Sequence, residues 1–222
     1  MRILGIESSS RRGSVALLEG ERLIASLEHE QQNMHAERLL PLLEQLLSEA
    51  GWPKSSLDRL GVGVGPGSFT GLRAGIALAE GLSVGLDRPL TGVGSLLAMS
   101  SGALAEQPGP CCALLDARRE ELFVAVYDDE RRELCAPLAL PIGELAAFLA
   151  KYAVRTVVGE VARTLEHGCV LAAGPTLDLP HARWVATLAG VLDEASSPPD
   201  PQYVRGIGAT LPTLARAPIN PQ

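Results

Sequence analysis

Hydroxyls, glycines and an arginine crowd into one run of this chain, Gly65-Pro66-Gly67-Ser68-Phe69-Thr70-Gly71-Leu72-Arg73. It lacks the Gly-Lys-Ser/Thr ending of a triphosphate-binding P-loop. Its spacing fits a glycine-bent strand-to-helix turn capped by Ser68 or Thr70, and an anion seated at the same helix start is the alternative. A second hydroxyl-rich stretch, Ser8-Ser9-Ser10 with Gly13 beyond, also lets backbone N–H groups approach an anion. Ser8, Ser9, Ser10, Ser68 and Thr70 are therefore the candidate anion or nucleotide loops. The segment Ala117-Arg118-Arg119-Glu120-Glu121 has no glycine and two acids. Carboxylates repel a triphosphate, so this segment reads as a lost phosphate loop, and no ATP turnover by the chain alone is expected.

Metal and nucleophile chemistry find less. The four histidines, His29, His35, His167 and His181, include no His-x-x-x-His pair, and capping or solvated roles are expected for them. The four cysteines, at 111, 112, 135 and 169, form no Cys-x-x-Cys and are expected to be free thiols in a reducing compartment. No Gly-x-Ser-x-Gly elbow occurs. No catalytic residue and no metal site are assigned.

The elements that would position these residues follow from periodicity. Ile3–Glu7, Ser14–Leu18 and Leu23–Leu27 read as three strands of an antiparallel meander. His35–Ala50 reads as a helix: Leu39, Leu42, Leu43, Leu46 and Leu47 recur at helical spacing, Pro41 falls near its start and Gly51 ends it. Leu60–Val64 is a buried strand, and a helix runs from the glycine-rich turn to about Val84. Thr91–Val93 is a short strand and Ser95–Ala105 a helix. After Pro108-Gly109-Pro110 the order returns: strands Ala113–Asp116, Leu122–Tyr127 and Leu134–Leu140, helix Gly143–Tyr152, strand Thr156–Gly159. An offset of 109 lays Asp116 on Glu7 and Val124 on Val15, so a duplication is expected. The lobes would be 1–107 and an abbreviated 108–195, with a helix at Ala182–Glu194 and a Pro/Gly-rich tail at 196–222. The fold class is α/β, with duplicated actin-like, ribonuclease-H-like lobes of mixed sheet flanked by helices.

Composition narrows the function. The chain has 222 residues, 46% apolar and 20% charged, as an ordered globular protein does. Its 19 basic and 26 acidic residues give a net charge of −7, which argues against a protein that grips nucleic acid with its own surface. The doublets Arg11-Arg12, Arg118-Arg119 and Arg131-Arg132 read as solvated turns or small ion-pair sites. No segment has the length of a membrane span and no signal peptide is read, so a cytoplasmic location is expected. On the second helix Gly71, Gly75 and Ala79 fall four apart, a row that lets another helix approach. Core packing within the chain and an exposed pairing face are the two readings of that row.

The chain resembles the TsaB (YeaZ) family, the non-catalytic partner in bacterial threonylcarbamoyladenosine synthesis on tRNA. The matching residues are Ile3–Ser9 with Ser14–Leu17, His35–Pro41, Gly65–Arg73, Gly92-Val93 before Ser95, Leu115–Arg118 and Tyr203-Val204-Arg205. The family's first-strand acid is commonly Asp, and here it is Glu7. The resemblance implies an actin-like fold with degenerate nucleotide loops. It implies pairing with the catalytic paralogue TsaD through the two helices, with a TsaE-like ATPase joining and tRNA held only through the complex. Self-pairing as a homodimer is implied in isolation. Any ATP or ADP would sit at a partner interface, and the chain has no cofactor of its own. The interface would use His35, Leu39, Leu42, Leu43 and Leu46 of the first helix with Leu72, Gly75, Ile76, Ala79 and Leu82 of the second. Two rivals remain: a glycoprotease-type metallopeptidase, opposed by the missing histidine pair, and a small ATP-dependent kinase, opposed by the acidic second loop.

Overall fold

Short connections force the first strands into a meander. In the computed structural model, which describes residues 1–31, 34–195 and 197–204, β1 (Arg2–Glu7), β2 (Gly13–Glu19) and β3 (Arg22–His29) pair antiparallel. Arg205 and the stretch to Gln222 lie outside the described residues, as does Ser196. Helix α1 (His35–Ala50) carries the chain back, so that β4 (Arg59–Gly65) runs parallel to β1 with Leu60 opposite Leu4. Helix α2 (Phe69–Leu86) leads to β5 (Leu90–Gly94), parallel to β4, and the sheet order is β3-β2-β1-β4-β5.

Helix α3 (Ser95–Leu104) crosses to a second sheet made of β6 (Cys111–Arg118), β7 (Glu121–Tyr127), β8 (Glu133–Pro141), β9 (Thr156–Val158) and β10 (Val170–Ala172), with α4 (Leu145–Lys151) between β8 and β9. Its order, β10-β9-β6-β7-β8, repeats the first sheet strand for strand, with the same parallel and antiparallel pairings. The chain has the duplicated actin-like architecture. Helix α5 (Ala182–Ala189) ends the ordered pattern.

Each sheet buries both faces. Leu4, Ile6, Val15 and Leu17 pack under α1 and α2, against Leu39, Leu43, Leu46, Leu72 and Ile76. Ile3, Ala16 and Leu18, on the other face, pack on Val185, Ala186 and Leu188 of α5. In the second sheet Cys112 and Leu114 pack on Phe148 and Leu149 of α4, while Cys111, Ala113 and Leu115 meet Leu96 and Met99 of α3. Thus α3 and α5 are exchanged: each inner face is covered by a helix that belongs, in chain order, to the other half.

Some expectations need correcting. The fixed offset of 109 fails on the first strand. Ile6 faces Val15 in one sheet and Leu114 faces Val124 in the other, so β6 stands at an offset of 108 while β7 keeps 109. Because side chains alternate, Leu115 and not Asp116 occupies the place of Glu7, and Asp116 points outward, exposed. Pro41 is not in the first turn of α1: it lies inside the helix and removes an N–H that would reach the Glu37 carbonyl. The buried leucines around it hold the helix unbroken. Helix α5 stops at Ala189, where Gly190 caps it, rather than at Glu194. A 3₁₀ turn at Ile142–Glu144 replaces the first part of the fourth expected helix, and β10 was not foreseen.

Candidate functional site: the cleft between the sheets and the two-helix face

Glu7 closes the inner end of the first sheet. Its carboxylate is fully buried; Oε1 accepts from the Ser9 N–H at 2.6 Å and Oε2 accepts from the Ser95 hydroxyl at 2.9 Å. The longer arm fits because it lies over Gly63, where a Cβ would stand 2.1 Å from Oε2. Burial drives its pKa up, and the hydrogen bonds from Ser9 and Ser95 only partly offset this. The folded state therefore binds the Glu7 proton more tightly than the unfolded chain does. Stability from this group is full below the unfolded value near 4.5 and is lost as pH rises through the folded one. Glu7→Gln should be more stable than the parent at pH 8, and the gap should shrink by pH 5. Urea midpoints at the two pH values measure this; a gap that does not change with pH would exonerate Glu7.

The loop after Glu7 is packed, not open. The Ser8 hydroxyl donates to the Gly71 carbonyl at 2.9 Å, and the Ser9 carbonyl accepts from the Ser68 N–H at 2.6 Å. A Cβ on Gly71 would come within 2.2 Å of the Ser8 carbonyl oxygen, and one on Gly75 within 2.2 Å of the Ser8 hydroxyl. The small row of α2 thus admits the β1–β2 loop, not a second helix. Ser68 caps α2, its hydroxyl accepting from the Gly71 N–H at 3.3 Å, and Thr70 is exposed beside it. Behind the loop, a chain of hydrogen bonds runs from the Gln31 N–H to His29 Nδ1, from His29 Nε2 to His35 Nδ1 and from His35 Nε2 to the Ser10 carbonyl. The geometry places one proton on each ring, at Nε2. Burial holds both histidines below their ordinary pKa.

Between the sheets lies a cavity of about 450 Å³. Ser9, Ser10 and Arg11 line one side, Ser68 and Phe69 the helix end, and Asp116, Arg118 and Glu160 the far wall. Ser8 and Thr70, two of the loop candidates, are not part of its lining. Arg11 spans the cavity to pair with both carboxylate oxygens of Glu160, Nη2 to Oε2 at 2.6 Å. Arg12 ties the loop to Glu28 and Glu30 on its own side and to the Pro175 carbonyl across the gap. The first arginine doublet is an ion-pair site joining the two halves.

The second hairpin turns through left-handed backbone without a glycine. Arg118, Arg119 and Glu120 all adopt left-handed φ, at 64°, 57° and 60°. Such residues cost about 1–2 kcal/mol each where glycine would be relaxed. The Asp116 carboxylate faces back on this turn, accepting from the Arg118 N–H at 2.7 Å. Among the described residues no group of three or more His, Cys, Asp or Glu is placed to hold a metal ion. None of their helices is long and apolar enough to cross a membrane.

The pairing face composed from sequence is not on the surface. His35, Leu39, Leu43, Leu46, Leu72, Gly75, Ile76 and Ala79 are buried inside the chain; Leu42 and Leu82 are half-buried. A helical stripe marks the side that is covered, and here the sheet and the first loop cover it. The outer side of the helices carries a different set. Ala77, Gly81 and Gly85 form a second row four apart on α2, all exposed, and none of the described residues lies within 4 Å of where a Cβ on Gly81 or Gly85 would stand. Val84 is 85% exposed beside this row, and Leu40 of α1 is 41% exposed.

A family model described as TsaD, tRNA N6-adenosine threonylcarbamoyltransferase, matches residues 23–169. YeaZ from Pseudomonas aeruginosa superposes with a TM-score of 0.76 at 31% identity, over 91% of this chain and 99% of that one. The chain belongs to the TsaB/YeaZ family. The tRNA threonylcarbamoyladenosine biosynthesis protein TsaB of Escherichia coli strain K12 is 37% identical over 128 residues, 57% of this chain and 55% of that protein. Its Bacillus subtilis strain 168 counterpart is 32% identical over 127 residues, with the same shares. The chain spans about half the length of the curated relatives it matches. Beyond the TsaB/YeaZ family, the ethanolamine utilization protein EutJ from Carboxydothermus hydrogenoformans shares the fold, at a TM-score of 0.58 and 13% identity.

Proposed function

We propose that this chain acts in the formation of threonylcarbamoyladenosine on tRNA as a non-catalytic subunit, pairing with a TsaD-like catalytic paralogue. A TsaE-like ATPase joins the assembly, and tRNA is held by the assembly rather than by this chain alone, whose net charge is −7. The observation that carries the reading is the TsaB/YeaZ kinship together with a cleft to which the second hairpin offers Asp116 and no glycine.

The contact surface in this reading is the outer side of α1 and α2. Two glycines inside a helix cost about 1 kcal/mol each against alanine, and no side chain of the described residues fills the space above Gly81 or Gly85. A partner's helix laid along Ala77, Gly81 and Gly85, with Val84 and Leu40 at its flank, would use that space. In isolation the same surface pairs with a second copy. Gly81→Leu should leave the melting temperature at or above that of the parent, since leucine is the better helix former. It should weaken binding to the TsaD-like protein of the same host at least roughly thirtyfold, the size of a hot-spot loss. Titration calorimetry or a sizing column reads this. A variant that pairs as the parent does would move the contact elsewhere, and a parent that does not bind the TsaD-like protein would remove the reading itself.

A further inference from the structure

The irregular segment 197–204 leaves the end of the second half and returns across the first sheet. The Ser197 carbonyl accepts from the Gly92 N–H at 2.8 Å, on the open edge of β5, and the Gln202 N–H donates to the Val64 carbonyl at 2.7 Å. A Cβ on Gly92 would meet the Pro198 carbonyl oxygen at 2.1 Å, so the segment is seated closely there. Its far end is held differently. The Tyr203 ring lies 5.3 Å from that of Phe69, the first residue of α2. The Arg73 guanidinium covers the same Phe69 ring at 3.9 Å, and its Nε donates to the Tyr203 hydroxyl at 3.4 Å. Gln202, Tyr203 and Val204 in turn wall the cavity between the sheets.

We propose that residues 197–204 are a strap that closes this cleft, and that Tyr203 on Phe69 and Arg73 is its latch. The seat at Gly92 is anchored by backbone; the far end has the Gln202–Val64 backbone bond and, beside it, a side-chain latch between residues that remain 43% and 38% exposed. Contacts of that kind, solvated on one side, belong to the segments that open locally long before the core does. The hinge therefore falls between the seat at Ser197 and Gln202, and lifting the far end breaks the Gln202–Val64 bond together with the latch. When the strap lifts, the wall formed by Gln202, Tyr203 and Val204 leaves, and the cleft opens toward the start of α2. Phe69 thus serves both the cleft wall and the first turn of the helix, with Arg73 stacked on it from outside the lining, so a ligand that separates Phe69 from Tyr203 opens the cleft.

Hydroxyl-radical footprinting of the full chain tests this. Phe123 lines the cleft and Tyr127, on the same strand, is buried away from it. Tyr203→Ala should raise oxidation of Phe123 roughly tenfold, the size of losing an aromatic contact and its cation, with Tyr127 unchanged. Tyr203→Phe, which keeps the ring, should stay near the parent. Deuterium uptake at residues 197–204 should rise in Tyr203→Ala and not in Tyr203→Phe. Faster uptake in the strap with Phe123 unchanged would show that the strap does not cover the cleft, and would overturn the proposal. Oxidation of Tyr127 rising in step with Phe123 would also overturn it, because the contact would then hold the fold rather than a lid.

Discussion

Gly75→Leu is expected to unfold the protein, not to part it from a partner. The first atom added at this position already stands 2.2 Å from the Ser8 hydroxyl and 3.4 Å from its Cβ. Neither can retreat: Ser8 is fully buried and its hydroxyl is committed to the Gly71 carbonyl. Overpacking of this kind costs about 1–3 kcal/mol or more, and a stranded buried hydroxyl adds about 1–3 kcal/mol. Together these approach the lower end of the 5–15 kcal/mol that typically holds a domain. Ile76→Glu should act the same way, by placing an unpaired carboxylate in the core under α2. A circular-dichroism melt of Gly75→Leu beside Gly81→Leu separates the two rows of the helix. The first should melt far below the parent or be unfolded at 25 °C, and the second should not. If Gly75→Leu kept the parent's melting temperature and lost only its pairing, the buried row would be the contact after all.

The second large effect is on acid stability. His181 caps α5, its Nδ1 accepting from the Arg183 N–H at 3.0 Å, and its Nε2 lies 3.3 Å from Glu28. Burial, with Arg12 and Arg183 adding to it, pushes its pKa down to about 4. Glu28 acts in the opposite sense, but its charge is already engaged by Arg12 at 3.4 Å. The folded state therefore holds neutral His181, while the unfolded chain takes up a proton near pH 6.5. The contribution is fully present above that value and is lost as pH falls from 6.5 toward 4, by about 3 kcal/mol. His29 and His35 are shifted the same way and add to the loss. His181→Asn keeps an acceptor for the Arg183 N–H and cannot titrate. Chemical denaturation at pH 7 and pH 4.5 should show the parent losing about 2–3 kcal/mol more than this variant. Equal losses would place the acid-sensitive group elsewhere.

The sequence was readable where one segment decides its own structure. The bounds of α1, His35 and Ala50, follow from leucine spacing and from Gly51, and Ser68 was one of two residues named as the cap of α2. The second sheet could be anticipated from the recurring order of strands. What escaped depends on neighbours distant in sequence. The row Gly71–Gly75 is explained by Ser8, and the bridge from Arg11 reaches Glu160, 149 residues on. Periodicity locates the apolar side of a helix but not what lies against it, so of the two readings of the Gly71, Gly75 and Ala79 row the structure bears out packing within the chain, and the exposed row at Ala77, Gly81 and Gly85 went unread. The slip from 109 to 108 on β6 was equally hidden: a one-residue change reverses which side chain points inward, and Asp116 looked like the counterpart of Glu7 only while the strand was read as a string. β10 had a signal that went unused, since a duplicated half should have its fifth strand.

The exchange of α3 and α5 between the halves has a consequence for synthesis on the ribosome. Ile3, Ala16 and Leu18 are made long before the helix that covers them, which spans Ala182–Ala189. Until that helix has left the exit tunnel, the inner face of the first sheet has no cover. Contacts of such long sequence separation form late and slowly. The nascent chain must therefore carry an open apolar sheet until α5 emerges, a state that invites aggregation and that chaperones recognise. For the same reason, a gene cut between the two halves would give two fragments that each lack a helix the other holds.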